Sequence, residues 1–420
     1  MKSIITESWL PASALLGLIG FASGSAALVI IGALLFGTGA LARIWKRVCL
    51  ERVVYARRLG EHRLFVGERT GLTLTLENRK PLPVPWIEVR ETLPRGMPVT
   101  GIRTHAGGAP GTQVLQRTAA LGMRDRLDWP MELRAVRRGY FRVGPTRLRS
   151  GDLFGFFDRE EETGRPVDGI VVYPHVYPLG DLGFDAARPF GEQRGGQRIY
   201  EDPSRVVGVR DYLPGDPMKR IDWHATARLG RMQSRLYEPS RAQALVIALN
   251  IPTFEYSWQG SDPVLLERGV SVAASIASWA SEAGAAVGLI ANGSFPDADR
   301  TIHIGAGRRP DQLNRVLEAL AMVTAFTTGE MAQALEDPAH PIPAGATVVL
   351  VAAILSPDLA DTLRRLRGRG HRVHIVKTGH RAWEVDPAPV RVFDVSAAVE
   401  ALEAEAVAAG LMERPEGVAP

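Results

Sequence analysis

Hydrophobic and polar positions alternate along this chain in three successive regimes. From Ser8 to Ala42 there is no Asp, Glu, Lys or Arg, a pattern that predicts contact with lipid. As one helix the run would extend about 52 Å at about 1.5 Å per residue, against a hydrocarbon core of about 30 Å. The small, polar stretch Ala22-Ser23-Gly24-Ser25 lies near its middle and predicts two short helices, about Trp9 to Phe21 and Ala26 to Ala42, joined by a tight turn. Each half is short for a full span, so a single tilted helix stays open as the alternative. The apolar run continues through Leu28-Val29-Ile30-Ile31, and the start carries Lys2 against Glu7, which argues against a cleaved signal peptide.

From about Cys49 to Thr163 the period becomes two. Gly71-Leu72-Thr73-Leu74-Thr75-Leu76-Glu77-Asn78 alternates as a strand with one buried face, and Trp86 to Glu91, Met131 to Val136 and Gly139 to Pro145 repeat the theme between Gly and Pro punctuation. These runs predict a small antiparallel β-sandwich. After about Ala242 the pattern changes again. Apolar strands at Ala244 to Leu249, Ala286 to Ala291, Thr347 to Leu355 and Arg372 to Thr378 alternate with helical stretches at Val264 to Glu282, Pro310 to Val323, Pro357 to Arg369 and Ser396 to Ala409. This predicts a doubly wound α/β domain. No phosphate-cradling glycine loop follows its first strand, so nucleotide binding by this chain has no sequence support.

The length of 420 residues fits this multidomain plan. Its parts are a transmembrane segment at 1–48, a β-sandwich at 49–165, a connector at 166–241 and an α/β domain at 242–420. A charged fraction of 23% and a hydrophobic fraction of 45% exclude both a disordered chain and a polytopic transporter. One cysteine, Cys49, excludes a disulfide framework and a multi-thiolate zinc site. As a lone thiol it reads as a lipidation site or as a small buried side chain. The net charge is +4, and its placement says more than its size. Arg43, Lys46, Arg47, Arg52, Arg57 and Arg58 follow the lipid segment with only Glu51 against them, which predicts a cytoplasmic bulk at the cell inner membrane. Without aromatic interleaving or a reader motif, nucleic-acid binding is not expected. Arg137, Arg138, Arg142, Arg147 and Arg149 read either as headgroup or acidic-partner contacts or as solvated strand faces.

The densest chemistry lies between the two domains, from Val209 to Arg228. Pro214-Gly215 signals a turn. Asp216 suits a helix N-cap and Pro217 the first helical position. Met218, Ile221, Ala225 and Leu229 then fall on one face predicted to dock, and Gly230 supplies a stop. Arg210, Arg220 and Arg228 match the carboxylates of Asp216 and Asp222 in two-pronged geometry. Two readings stand: a clamp between domains with Trp223 packed over an arginine, or a recognition surface for another protein.

Arg210, Tyr212, Gly215, Asp216, Arg220, Asp222, Trp223, Ala227 and Arg228, at these spacings, resemble the signature of the domain-of-unknown-function 58 (DUF 58) family of prokaryotic membrane-anchored proteins. Arg138 to Pro145, Ser150-Gly151-Asp152-Leu153-Phe154-Gly155 and the order of the parts are similar too. The resemblance implies that the last domain has a von Willebrand factor type A-like fold. It also implies a partner, an AAA+ ATPase of the MoxR class.

A metal-binding domain of that type needs Asp-x-Ser-x-Ser after its first strand. Here the place reads Asn250-Ile251-Pro252-Thr253-Phe254, a degenerate metal site that Asp358 alone would not restore, and no metal or cofactor is expected. Asp216, Asp222 and His224 could be read as acid and base with Arg220 or Arg228 as anion stabiliser, but Asp222 and His224 lie about 200° apart on a helix. His371 and His374 have no metal partner at a diagnostic spacing. Asn292-Gly293-Ser294 matches a glycosylation sequon that in a cytoplasmic loop is only a turn. The expectation is a membrane-anchored, non-enzymatic adaptor partnering a MoxR-class ATPase in assembling or remodelling other proteins. Its alternatives are a structural membrane protein whose motif is an interdomain clamp, and a hydrolase using Asp216, Asp222 and His224.

Overall fold

The computed structural model describes residues 2–152, 157–185, 190, 200–213, 216, 218–240, 244–255, 257–295 and 301–412. The chain divides into two compact units, Met1–His175 with Glu405–Arg414, and Val176–Ala404 with Pro415–Pro420. It is a mixed α/β, multidomain protein with apolar N-terminal helices and a β-rich region.

Two helices open the first unit, α1 (Lys2–Ala22) and α2 (Ala26–Val48). Between them Gly24 takes a φ of +67°, a left-handed conformation that costs glycine little, and Ser25 N donates back to the Gly20 carbonyl at 3.0 Å. The alternative of one tilted helix is thereby replaced by a hairpin. Both helices outrun the apolar stretch, because Lys and Arg propagate a helix well: α2 continues through Arg43, Lys46 and Arg47. Small residues let the pair approach closely. A Cβ on Gly32 would lie 2.6 Å from Gly17 Cα, and Trp9 Nε1 donates to the Leu35 carbonyl at 3.3 Å. Leu18, Phe21, Leu34 and Leu41 are exposed. Among the described residues α2 is long and apolar enough to cross a membrane, whereas the apolar part of α1, Trp9–Ala22, is shorter.

Among the described residues of this unit eleven strands follow: β1 (Val53–Leu59), β2 (Arg63–Phe65), β3 (Arg69–Asn78), β4 (Val84–Pro94), β5 (His105–Ala106), β6 (Thr112–Leu121), β7 (Arg126–Arg134), β8 (Gly139–Val143), β9 (Thr146–Gly151), β10 (Asp158–Glu162) and β11 (Asp168–Tyr173). They form sheets ordered β1-β3-β7, β10-β9-β4-β6-β5 and β2-β11-β8. The alternation seen in the sequence is the burial pattern: Leu72, Leu74 and Leu76 of β3 are fully buried and share one core with Ile87, Leu115 and Leu133 from other strands. The pairing is not wholly antiparallel, since β11 runs parallel to β2.

Two sequence readings change here. Arg57, counted among the cations flanking the lipid segment, is buried and ion-paired to Glu91 and to Asp168. Those carboxylates lie 34 and 111 residues away, out of reach of a local charge count. Arg147 and Arg149 are likewise occupied, facing Glu160, Glu162 and Asp158 of β10 across the strand pair. Cys49 is buried, as the second of its two readings has it.

The second unit holds an antiparallel ribbon, β12 (Tyr200–Asp211) and β13 (Gln233–Ser240), with the short helix α3 (Trp223–Leu229) between its strands. The segment read as a connector is therefore structured. A six-stranded sheet follows. Its elements are β14 (Ala244–Leu249), α4 (Pro263–Glu282), β15 (Ala286–Ala291), β16 (Ile302–Gly307), α5 (Gln312–Met322), α6 (Met331–Leu335), β17 (Thr347–Ala352), α7 (Pro357–Gly368), β18 (Arg372–Lys377), β19 (Arg391–Asp394) and α8 (Ser396–Ala408). Strand order is β16-β15-β14-β17-β18-β19. All neighbours are parallel except the β15 and β16 pair. Both faces are covered, as uninterrupted apolar strands require. Val246, Ala248 and Leu350 pack with Leu335 of α6 and Leu363 of α7. Leu249 reaches the opposite face, where a Cβ on Gly269 of α4 would sit 3.5 Å from its Cδ1.

Candidate functional site

The signature residues gather on the ribbon and its helix. Arg210 lies opposite Ser234 and Asp211 opposite Gln233, and a 3-10 turn at Met218–Arg220 precedes α3. The N-cap is Asp222 rather than Asp216. Its backbone is extended at φ −90° and ψ 99°, and its Oδ1 accepts from Ala225 N at 3.0 Å. Asp222 N is itself tied to the Gln233 carbonyl at 2.8 Å, and this pairing to the ribbon sets the start of the helix later than a reading from Pro217 placed it. Gly230, at φ +67°, ends α3 by donating to the Thr226 carbonyl at 2.9 Å.

Asp216 has a different task. Arg210 Nη2 donates to its Oδ1 at 2.7 Å, and Leu213 N donates to its Oδ2 at 3.1 Å. Tyr212 donates its hydroxyl to the Asp216 carbonyl at 3.2 Å. The Arg210 hydrogen bond, then that of Leu213 N–H, holds the Asp216 carboxyl below the usual range, with Arg220 adding to the effect. For Asp222 the Ala225 N–H does the same, followed by Arg235. Arg228 is exposed in the last turn of α3, where a cation suits the helix dipole. Gly215 lies outside the described residues.

Sequence reasoning missed two supports. Arg235 Nε lies 3.3 Å from Asp222 Oδ2, and Gln233 Nε2 donates to Asp211 Oδ1 at 2.6 Å. Their signal is the register of the ribbon, which is invisible until the strands pair. The face predicted to dock does so only in part. Ile221 and Ala225 are buried, but Met218 is 66% exposed and Leu229 49%; Leu213 and Trp223, outside that face, are exposed at 58% and 64%. Under the clamp reading Trp223 packs over an arginine; its exposure leaves most of the indole in solvent.

The other candidate place is the crevice outside the carboxyl ends of β14 and β17, where the strand order reverses. Asn292, at the end of β15, is 1% exposed, so the sequon it begins is closed to modification. Its Oδ1 accepts from Ile251 N at 2.9 Å, and its Nδ2 donates to Asn250 Oδ1 at 3.2 Å and to the Gly329 carbonyl at 3.1 Å. Thr253 Oγ1 accepts from Asp262 N at 2.7 Å. These neutral oxygens serve protein hydrogen bonds, and Pro252 and Phe254 supply none. The donor set does not fit a hard cation such as Mg²⁺, which selects carboxylate-rich oxygen cages. Asp358 is exposed in the first turn of α7.

A family profile described as "Protein of unknown function DUF58" matches residues 208–402, the stretch that begins in the ribbon and takes in all six strands of the α/β sheet. A curated relative, the uncharacterized protein YeaD of Bacillus subtilis, is 27% identical over 246 residues, which are 57% of this chain and 55% of that protein. The chain thus spans about half the length of the curated relative it matches. Among solved structures, a CARDB domain from Pyrococcus furiosus in complex with di-metal ions is 14% identical, with a TM-score of 0.20, over 29% of this chain and 90% of that one. A cohesin module from Clostridium perfringens is 12% identical with a TM-score of 0.21, over 29% of this chain and 96% of that one. The sporulation control protein Spo0M of Bacillus subtilis is 12% identical with a TM-score of 0.19, over 31% and 53%. At such scores none of the three carries an argument about this chain.

Proposed function

We propose that this protein is a membrane-anchored, non-enzymatic adaptor whose ribbon and helix form the docking surface for a MoxR-class AAA+ ATPase, in the assembly or remodelling of other proteins. One observation carries the reading: Leu213, Met218 and Trp223 are each more than half exposed on a module in which Arg210, Tyr212, Asp216 and Asp222 are engaged in its own hydrogen bonds. Grouped exposed apolar side chains mark interaction sites, and Trp is enriched at their energetic centres. The Arg210–Asp216 and Arg235–Asp222 pairs run within the module, and so serve its own fold. The ATPase as partner rests on the DUF 58 resemblance.

In this reading α1 and α2 anchor the chain in the inner membrane. The exposed Arg43, Lys46, Arg47, Arg52 and Arg58 at the end of the hairpin favour a cytoplasmic location for the rest. The β-rich part is a β-sandwich spacer. The last domain is von Willebrand factor type A-like, supported by a parallel sheet with one antiparallel edge strand and by the strand order. The non-enzymatic character is supported by the state of Asp216 and Asp222. Both are hydrogen-bond acceptors held below the usual carboxyl range, which suits neither as a general acid near neutral pH.

The test is co-purification from detergent-solubilised native membranes, with bound proteins identified by mass spectrometry. Wild type is compared with a Met218→Ala/Trp223→Ala variant, and thermal unfolding of both is followed in parallel. The expected result is an AAA+ ATPase with wild type that is lost from an equally stable variant. Recovery of no ATPase, or of equal amounts with both, refutes the adaptor reading.

A further inference from the structure

Strand β16 and the loop after α6 bring together three metal-ligating side chains remote in sequence, His303, Asp337 and His340. Each offers one ligand atom, and these atoms lie within 4.8 Å of one another. The two imidazoles are stacked, with ring centroids 4.4 Å apart and planes 19° apart. Asp337 Oδ2 lies 2.9 Å from His340 Nδ1. The carboxylate is fixed in place, since its Oδ1 accepts from Ala339 N at 2.9 Å and His340 N donates to the Asp337 carbonyl at 3.2 Å. His303 is held by strand pairing, opposite Ile290 of β15. Both rings border a cavity of about 190 Å³ whose other walls are largely apolar, among them Val246, Ile290 and Ile342.

Imidazole nitrogen with one carboxylate oxygen is a donor set for a borderline divalent cation, and Zn²⁺ takes it at bond lengths of about 2.0–2.2 Å. Donors around a tetrahedral Zn²⁺ are about 3.3 Å apart, so small side-chain rotations close the gap from the present spacing. Two of the three ligands come from one tight turn and the third from a strand, which limits the ordering cost of binding. We propose that His303, Asp337 and His340 form a Zn²⁺ site with three protein ligands and a fourth position left to water. The ion ties the antiparallel edge strand β16 to the loop between α6 and β17. This site is separate from the ribbon module and does not depend on its function.

The test uses the full chain in detergent, free of any histidine tag and stripped with EDTA. It is titrated with Zn²⁺ by calorimetry while thermal unfolding is followed. Expected are saturable binding of one Zn²⁺ per chain, a rise in Tm, and a loss of affinity of roughly 10–100-fold or more in His340→Ala and in His303→Asn. His380→Ala, a control at another exposed histidine, retains wild-type affinity. His340 is exposed, so its substitution leaves the fold intact even where His303→Asn does not. Absence of saturable binding, or equal affinity in His340→Ala and wild type, overturns the site.

Discussion

Lys80 donates from Nζ to the carbonyl oxygen of Val48 at 2.7 Å, and it also bonds the carbonyl of Cys49. Val48 ends α2, so a buried ammonium from the turn between β3 and β4 satisfies carbonyls that the helix leaves unpaired, and opposes the negative end of its dipole. The apolar hairpin is thereby joined to the β-rich part by a charged hydrogen bond. Lys80→Met is expected to cost about 1.5–3 kcal/mol, the range for hydrogen bonds to a charged group. Urea unfolding of the full chain in detergent measures this. Faster amide exchange over the last turn of α2 should accompany it, and unchanged exchange there would show that the cap does not hold the helix end.

A second prediction concerns Glu91. It is fully buried, pairs with Arg57, and accepts from Tyr55 at 2.5 Å and Thr146 at 2.6 Å. Arg57 in turn reaches Asp168 at 2.7 Å and the Pro166 carbonyl at 2.9 Å. Removing Glu91 leaves the buried Arg57 with Asp168 as its carboxylate partner and takes the acceptor from the Tyr55 and Thr146 hydroxyls, a loss of the order found for broken buried pairs, about 3–5 kcal/mol. Glu91→Ala should therefore destabilise the chain strongly, whereas Arg57→Met/Glu91→Leu should recover much of the loss. A double-mutant cycle on unfolding free energies decides it, and additive losses would show that the pair is not coupled.

The parts legible in the sequence were those that meet a complete local environment. Ala244 to Leu249 and Ala286 to Ala291 were located to the residue, because a strand buried on both faces is an unbroken apolar run. By contrast β12 and β13 pair with each other as a two-stranded ribbon, and β16 is a glycine-containing edge strand. Neither carries the periodicity that marks a strand. The cap was read one carboxylate too early. Asp216 stands before a turn and a proline, as an N-cap does, but the bond from Asp222 to the Gln233 carbonyl settles the helix start. His303 and His340 become neighbours only once β16 is laid beside β15.

The third prediction follows from that cap. Asp216 and Asp222 both have depressed carboxyl pKa values, from Arg210 and from the Ala225 N–H respectively. A depressed carboxylate contributes stability that is fully present above its unfolded pKa of about 3.9 and is lost as pH falls through the folded value. The order of the ribbon and helix should hold from neutral pH to about pH 4 and decline below it. Trp223, next to the cap, reports this through its fluorescence. Asp222→Asn, which keeps a capping oxygen but not the charge, should flatten the acid transition at Trp223 while preserving α3. An identical transition in the variant would assign the acid sensitivity to other carboxylates.

The fourth prediction places a pH dependence in the α/β sheet. His374, on β18, lies against Phe190 and Phe393 with ring centroids 5.5 and 5.9 Å apart. Burial first, and then Arg391, Arg372 and Arg367, lower its pKa from 6.5 to about 4. Above pH 6.5 the ring is neutral in both folded and unfolded chains and its contribution is fully present. As pH falls from about 6.5 to about 4 the unfolded chain takes up a proton that the folded one refuses, so stability drains across that window and levels off below it. The Tm of the wild-type chain should fall across that window. His374→Phe keeps an aromatic ring in the cluster and removes the titration, so its Tm should vary less there. His303 and His371, also lowered mainly by burial, keep a residual slope. Parallel Tm profiles for the two proteins between pH 7 and pH 4 would show that His374 is protonated in the folded chain, against the environment described here.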